Sequence, residues 1–455
     1  MTTRSVQNPT KWRPSGARTP LHWLSQSPPQ ARKALLAASL GWALDSFDVM
    51  LYSLVLTSII LELHLTKATA GILGSITLLA AAAGGLFFGV IADRFGRTRA
   101  LMASVLMYAV FTAACGFAHT VVQLAIFRIL LGFGMGGEWA SGAALVSESF
   151  PEATRGKALA LMQSSWAIGY GLAALVVAIV LPHFGWRAVF FVGVLPAFFT
   201  LWIRRNVQET LVLPQALPSA EAAKLVPADP PHLSFRSEAE ESAFVSAPTI
   251  TPTFRTLFQG KLLPLTLGLT LMNACCLFGW WGFNLWVPAY LSLPVNKGGI
   301  GLTGPRMTAI VVFMQVGMWF GYVTFGYIAD RFGRTRVYAA YLIAAAILML
   351  FFGATRSPIA LFLLAPLAAF AATGYFSGFA AITASVFESR IRATGQGFSY
   401  NTGRIASAAA PFLAGSLADK HGFSAAFMLS AVAFLLAALL IWALRKRLAV
   451  TQPGN

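Results

Sequence analysis

The 455 residues are 57% hydrophobic and only 11% charged, with a mean hydropathy of +0.69. A soluble domain carries about 25% charged residues and fewer apolar ones, so a water-soluble globule is excluded. The charge is lopsided, 33 Lys and Arg against 16 Asp and Glu, net +17; in a chain this apolar the excess is read first against membrane topology and only then against nucleic acid.

Residues 1–33 are polar, basic and Pro-containing, without the short apolar core of a cleaved signal, and are expected to form a cytoplasmic tail. Apolar runs of about 20 residues, the length of a membrane-crossing helix, then follow at 34–61, 70–91, 100–118, 122–147, 158–181 and 187–203. Residues 204–261 interrupt them with charges, serines and Pro214, Pro218, Pro227, Pro230 and Pro231, which predicts a cytoplasmic linker. Six further runs occupy 263–291, 306–329, 337–354, 359–386, 394–418 and 424–444, before a short tail at 445–455. The expected architecture is all-α and membrane-integral: twelve spans as two six-helix bundles, 34–203 and 262–444. With the N-terminus inside, 25 of the 33 Lys and Arg fall on the cytoplasmic side and six on the other, which sets both termini in the cytoplasm.

The two halves repeat. Ile91-Ala92-Asp93-Arg94-Phe95-Gly96-Arg97-Thr98-Arg99 recurs unchanged at Ile328 through Arg336, an offset of 237 that also relates Gly89 to Gly326, Arg155 to Arg392 and Gly185 to Gly422. An even number of spans per half keeps the repeats in one orientation. That is the parallel-repeat plan of a large transporter class, with its site between the halves near the bilayer midplane.

With its glycine–acid–basic loop after spans 2 and 8, and Arg128, Gly132 and Gly136 in span 4, the chain resembles the major facilitator superfamily. Leu44-Asp45-Ser46-Phe47-Asp48 is similar to the acidic first-span motif of bacterial sialate/lactate-type and aromatic-acid proton symporters, which usually have Gly at the place of Ser46. Gly136-Gly137-Glu138-Trp139 and Glu148 through Arg155 look more like the sialate/lactate-type branch. The resemblance implies a secondary transporter of the bacterial inner membrane, working as a monomer, with a gating network at Asp93, Arg97, Glu148, Arg155, Asp330, Arg334, Glu388 and Arg392.

Five ionisable residues fall at bilayer depth, where each costs about 2.5–3.5 kcal/mol on insertion scales and so calls for a partner, a cavity or a function: Asp45, Asp48, Arg128, Glu138 and Arg404. Asp45 and Asp48 are three residues apart on one helix face, and two carboxylates so placed are hard to ionise together, the property of a proton carrier. Glu138 is the rival carrier. The alternative for each is a buried hydrogen bond or a pairing, for instance with Arg128, as a structural or ion-pair residue. Arg404, with Asn401 and Tyr400 one turn back, makes a plausible carboxylate clamp; its alternative is a salt bridge to Asp45, Asp48 or Glu138 that holds the halves together. Gln163, Gln315, Asn273 and Asn284 are weaker lining candidates, as are Trp280, Trp281 and Trp286.

Gly132 through Gly137 formally contains a G-x-G-x-x-G, but inside an apolar helix it fits close packing rather than a dinucleotide. Cys115, Cys275 and Cys276 have neither disulfide nor metal spacing, no nucleophile–base set appears, and no nucleic-acid fold accompanies the basic loops. Neither enzyme nor cofactor is expected. The partners are a small carboxylate, protons and the lipid bilayer, and the expected activity is proton symport by alternating access. An exporter or facilitator of a neutral or cationic solute, such as a sugar or drug-like molecule, and a transporter-like receptor that moves nothing remain as alternatives.

Overall fold

The structure, a computed structural model, describes residues 22–206, 255–260, 262–387 and 391–450. The tail before residue 22 and most of the 204–261 linker lie outside the described residues. After a single turn at His22–Ser25, the helices are α1 Pro29–Glu62, α2 Lys67–Phe95, α3 Arg97–Cys115, α4 Val121–Ser149, α5 Glu152–Val192 and α6 Leu195–Asn206. The second set comprises α7 Leu262–Asn284, α8 Val287–Ser292, α9 Gly304–Phe332, α10 Arg334–Ala354, α11 Pro358–Val386, α12 Arg392–Ser407, α13 Ala410–His421 and α14 Phe423–Val450.

Ten stretches among the described residues are long and apolar enough to cross a membrane, and one of them, Thr154–Thr200, is 47 residues long. That stretch bends at Gly185, whose φ of 74° lies in the left-handed region, and serves two crossings. The shorter α12 and α13 together supply the remaining one. Twelve crossings return the chain to the face it left, so α1 starts and α14 ends on one face, here the termini face.

The duplication is written in the helix limits. Adding 237 to the limits of α2 gives those of α9, and adding it to α4 gives α11. Gly96 and Gly333 join the repeated helix pairs at φ 103° and 90°, and Gly185 and Gly422 share φ 74° and 80°. Packing follows the same symmetry: α2 lies on α4 as α9 lies on α11, and each of α2 and α9 crosses to the opposite half, against α13 and α5 respectively. Close approach depends on missing side chains. A methyl on Gly84 would run into the Phe133 carbonyl, and one on Gly132 or Gly136 into the Thr77 or Ala81 carbonyl, so the glycine run in α4 is a packing surface.

The repeat is broken where the second half has proline. Span 7 divides between α7 and α8 ahead of Pro288, and span 11 between α12 and α13 ahead of Pro411, because proline has no N–H to continue the ladder and its ring clashes with the preceding turn. Carbonyls at these breaks find other donors. Ser53 of α1 donates to Leu285 O at 2.6 Å, and Trp286 Nε1 donates to Pro411 O at 3.0 Å. In the first half, α1 runs unbroken through the corresponding position.

Candidate functional site

All five intramembrane ionisable residues are buried, none more than 6% exposed. Asp45 and Asp48 are on α1, Arg128 and Glu138 on α4, and Arg404 in the last turn of α12, where the helix dipole favours a cation. Asp45 is the hub of the group. Its carboxylate lies within electrostatic reach of Arg404, and Glu138 and Asp48 lie within reach of it. Tyr400 is close enough to feel both Asp45 and Arg404. Among the described residues no carboxylate forms an ion pair with Arg404.

Asp45 and Asp48 part company despite their spacing. Three residues turn the helix through about 300°, leaving the two side chains roughly 60° apart. Asp48 accepts a hydrogen bond from Thr112 Oγ1 at 3.1 Å, within its own half on α3. Asp45 Oδ2 and both Glu138 oxygens have no hydrogen-bond partner among the described residues. Glu138 lies against Gly41 of α1, where any larger residue would strike Oε1. Buried polar atoms are nearly always satisfied, so such a cluster asks for an explanation.

Arg128 is held differently from the pairing weighed for it. Its guanidinium stacks 3.7 Å from the Tyr52 ring centroid and Nε donates to Leu73 O at 3.3 Å, while Tyr52 Oη donates to Ala70 O at 2.7 Å. It therefore ties α4 to α1 and α2 without an acid partner among the described residues. A cavity of about 10 Å³ beside it, lined also by Thr77, Trp281, Leu285 and Pro411, has room for one water.

Three indoles join the charged cluster to the seam between the halves. Trp42 of α1 and Trp166 of α5 have ring centroids 4.8 Å apart, and Trp166 meets Trp281 of α7 edge-on at 6.3 Å. Both Trp42 Nε1 and Trp166 Nε1 lack a hydrogen-bond partner among the described residues. Ser46 Oγ donates to Trp166 O at 2.8 Å, and a methyl on Gly169 would strike the Ala43 carbonyl, so α1 and α5 are clamped here. The sequence alone singled out only Trp281; the spacing of Trp42 one turn before Asp45 was the available signal for its neighbour.

The remaining candidates divide. Gln315 Oε1 and Asn284 Oδ1 are unsatisfied among the described residues, with Gln315 Nε2 turned to Val311 O and Asn284 Nδ2 on Met50 Sδ. Gln163 is half-buried on α5, one turn from Trp166. Asn401 donates to Gly397 O of its own helix at 3.0 Å and sits beside Gly85 of α2. Asn273 is a strut, bonding Ser399 O and Tyr400 O at 3.3 Å each and fixing α7 to α12.

Of the residues expected to gate the termini face, Asp330 and Arg334 are exposed, Glu148 is exposed at the end of α4, and Arg155 is half-buried in α5. The side chains of Asp93, Arg97 and Arg392, and Glu388 as a whole, lie outside the described residues. On the opposite face, the far face, are Lys67–Asp419, 3.4 Å apart across the halves, and Arg187–Glu62 within the first half.

Two repeat-related halves of membrane-crossing helices meeting over buried charge have the plan of a multi-pass membrane transporter. The chain belongs to the Major Facilitator Superfamily, whose family model matches residues 38–322 and 269–455. It is 30% identical over 445 residues to a probable 4-methylmuconolactone transporter of Cupriavidus pinatubonensis, covering 95% of each chain. It is likewise 30% identical to the niacin transporter NiaP of Acinetobacter baylyi, over 90% of this chain and 92% of that one. In fold it matches a bacterial homolog of the human lysosomal transporter Spinster, solved inward-facing and unoccupied, with a TM-score of 0.67 at 17% identity, covering 94% of this chain and all of the other.

Proposed function

We propose that this transporter is a proton symporter of small organic carboxylates, working by alternating access as a monomer in a bacterial inner membrane, with both termini cytoplasmic. The observation that carries the reading is Arg404: a buried cation at the meeting of the halves, without a carboxylate ion pair among the described residues and within electrostatic reach of Asp45. A guanidinium so placed offers two parallel donors to a substrate carboxylate. Unsatisfied Gln315 and Asn284, with Gln163, supply further polar contacts, and Trp42, Trp166 and Trp281 supply an apolar wall suited to a ring. Tyr400 helps shape the clamp, whereas Asn401, bonded back to Gly397, is a weaker participant.

The coupling proton travels on Asp45 and Glu138. Asp48 stays within the first half on Thr112. Protonation of Asp45 removes the negative charge facing Arg404 and frees the guanidinium for the substrate anion; release of the proton on the other side reverses the competition. The bundles 34–203 and 262–444, joined by the 204–261 linker, rock about the site, and the acidic and basic residues of the two repeated termini-face loops latch one side. Relatives whose names specify niacin and 4-methylmuconolactone support a small organic acid as cargo. The test is thermal stabilisation of the purified protein by mono-, di- and aromatic carboxylates, with sugars and organic cations as controls. Stabilisation by carboxylates that disappears in Arg404→Gln supports the reading; stabilisation only by a sugar or a cation refutes it.

A further inference from the structure

The far face carries a contact that the repeat does not explain. Lys67 is the first residue of α2, in one half, and Asp419 lies in the last turns of α13, in the other. The Asp419 carboxylate accepts the backbone N–H of Lys67 at 3.2 Å and of Ala68 at 2.8 Å. Thr66 Oγ1 accepts the next one, from Thr69. The first donors of α2, which no helix can satisfy internally, are thus shared between a local cap and one from the opposite half. In return Lys67 Nζ donates to Ala418 O at 3.2 Å and reaches Asp419 Oδ1 at 3.4 Å. Each helix end receives from across the seam the charge its dipole favours, negative at the start of α2 and positive at the end of α13.

The surroundings make this the closing point of a tight seam. Ser75 Oγ of α2 accepts from Phe412 N–H at 3.2 Å, and Thr57 and Ser292 hydroxyls meet across the halves at 2.8 Å. A methyl on Gly71 would run into the Pro411 carbonyl and one on Gly415 into the Lys67 carbonyl. At the twin seam between α5 and α9 the 237-residue offset puts Gly304 in the place of Lys67 and Pro182 in the place of Asp419, neither of which can supply the ion pair or the carboxylate cap.

We propose that Lys67 and Asp419 form a reciprocal helix cap between the halves, a far-face gate that is made when that face closes and broken each time it opens. The inference rests on alternating access as proposed above. It assigns the outer gate to two residues beyond the repeated loops, and to one of the two symmetric seams.

The experiment uses the full chain in right-side-out vesicles, with the three native cysteines replaced and Thr57→Cys as reporter for a membrane-impermeant maleimide added at the far face. Asp419→Ala is expected to raise the labelling rate about five-fold, the ratio that loss of one helix cap produces. Asp419→Asn, which loses one of the two acceptor oxygens but can still take the shorter bond from Ala68 N–H, is expected to raise it by less than about two-fold, because Asn caps nearly as well as Asp. An unchanged rate in Asp419→Ala overturns the gate, and equal rates for Ala and Asn overturn the cap in favour of a plain ion pair. Disulfide formation between Thr57→Cys and Ser292→Cys in the Asp419→Ala background checks that the seam still assembles. If it does not, Lys67→Met, which leaves both backbone N–H bonds to Asp419 in place and removes the reciprocal bond to Ala418 O, carries the same test, and an unchanged rate there overturns the proposal. If Thr57→Cys stays unlabelled in the parent and every variant while uptake proceeds, alternating access itself fails; if the parent labels and the variants match it, only the gate fails.

Discussion

Arg404 separates a substrate clamp from a structural bridge, because the two roles predict opposite effects on stability. Arg404 is 6% exposed and has no carboxylate ion pair among the described residues. Breaking a buried salt bridge by removing one partner costs about 3–5 kcal/mol, since the other charge is left stranded. Removing a cation that no carboxylate contacts lifts a desolvation cost instead, and Asp45, the nearest negative charge, takes up a proton rather than being left stranded. Arg404→Gln is therefore expected to leave the thermal midpoint of the substrate-free protein unchanged or raised. Its effect falls on the substrate: loss of two charge-assisted hydrogen bonds, each contributing about 1.5–3 kcal/mol, weakens carboxylate binding at least a hundred-fold. Arg404→Lys keeps the charge but not the planar fork, and a loss of about 1.4–3 kcal/mol raises KM roughly ten- to hundred-fold. Proteoliposome uptake gives KM and a melting scan gives the midpoint. A fall of several degrees in Arg404→Gln together with an unchanged Lys-variant KM refutes the clamp and establishes the bridge.

Two further outcomes follow from packing. Gly136→Ala drives a methyl into the Ala81 carbonyl and is expected to cost about 1–3 kcal/mol by overpacking, read as a lowered midpoint, whereas Gly89→Ala, with nothing within 4 Å of the new methyl, stays within about 0.5 kcal/mol. Equal midpoints for the two variants contradict the tight α2–α4 packing. Trp281→Ala removes the second-half wall of the indole cluster and is expected to raise KM for ring-bearing carboxylates about ten-fold, with a smaller effect on short aliphatic ones; an equal effect on both removes the wall from the specificity argument.

Much of the fold is legible in the sequence because a bilayer imposes long apolar runs and because duplication sets a register. The duplicated IADRFGRTR loop places α2 and α9 237 residues apart, and the helix limits keep that offset to the residue. Interruptions within spans are harder to read. Hydropathy treats 263–291 and 394–418 as continuous, whereas Pro288 and Pro411 divide them and put Asn284 and Arg404 near broken helix ends. Both prolines are visible in the sequence, but a proline inside an apolar run signals a kink as readily as a break. Among the site residues, the buried charges are legible from their cost alone. Their pairing is not, because it depends on which helices touch: Asp48 turns to Thr112, Arg128 to Tyr52, and Asp45 toward Arg404. Lys67 and Asp419 escape notice for the opposite reason, since charges at span ends cost nothing and carry no signal until the halves are docked.

The central claim is that carboxylate movement is driven by protons carried on Asp45 and Glu138. Its most direct test is uptake by proteoliposomes of Asp45→Asn, Glu138→Gln protein, comparing accumulation under an imposed pH gradient with counterflow in its absence. The account predicts that counterflow persists while gradient-driven accumulation is lost. Accumulation at the wild-type level in the double variant contradicts it.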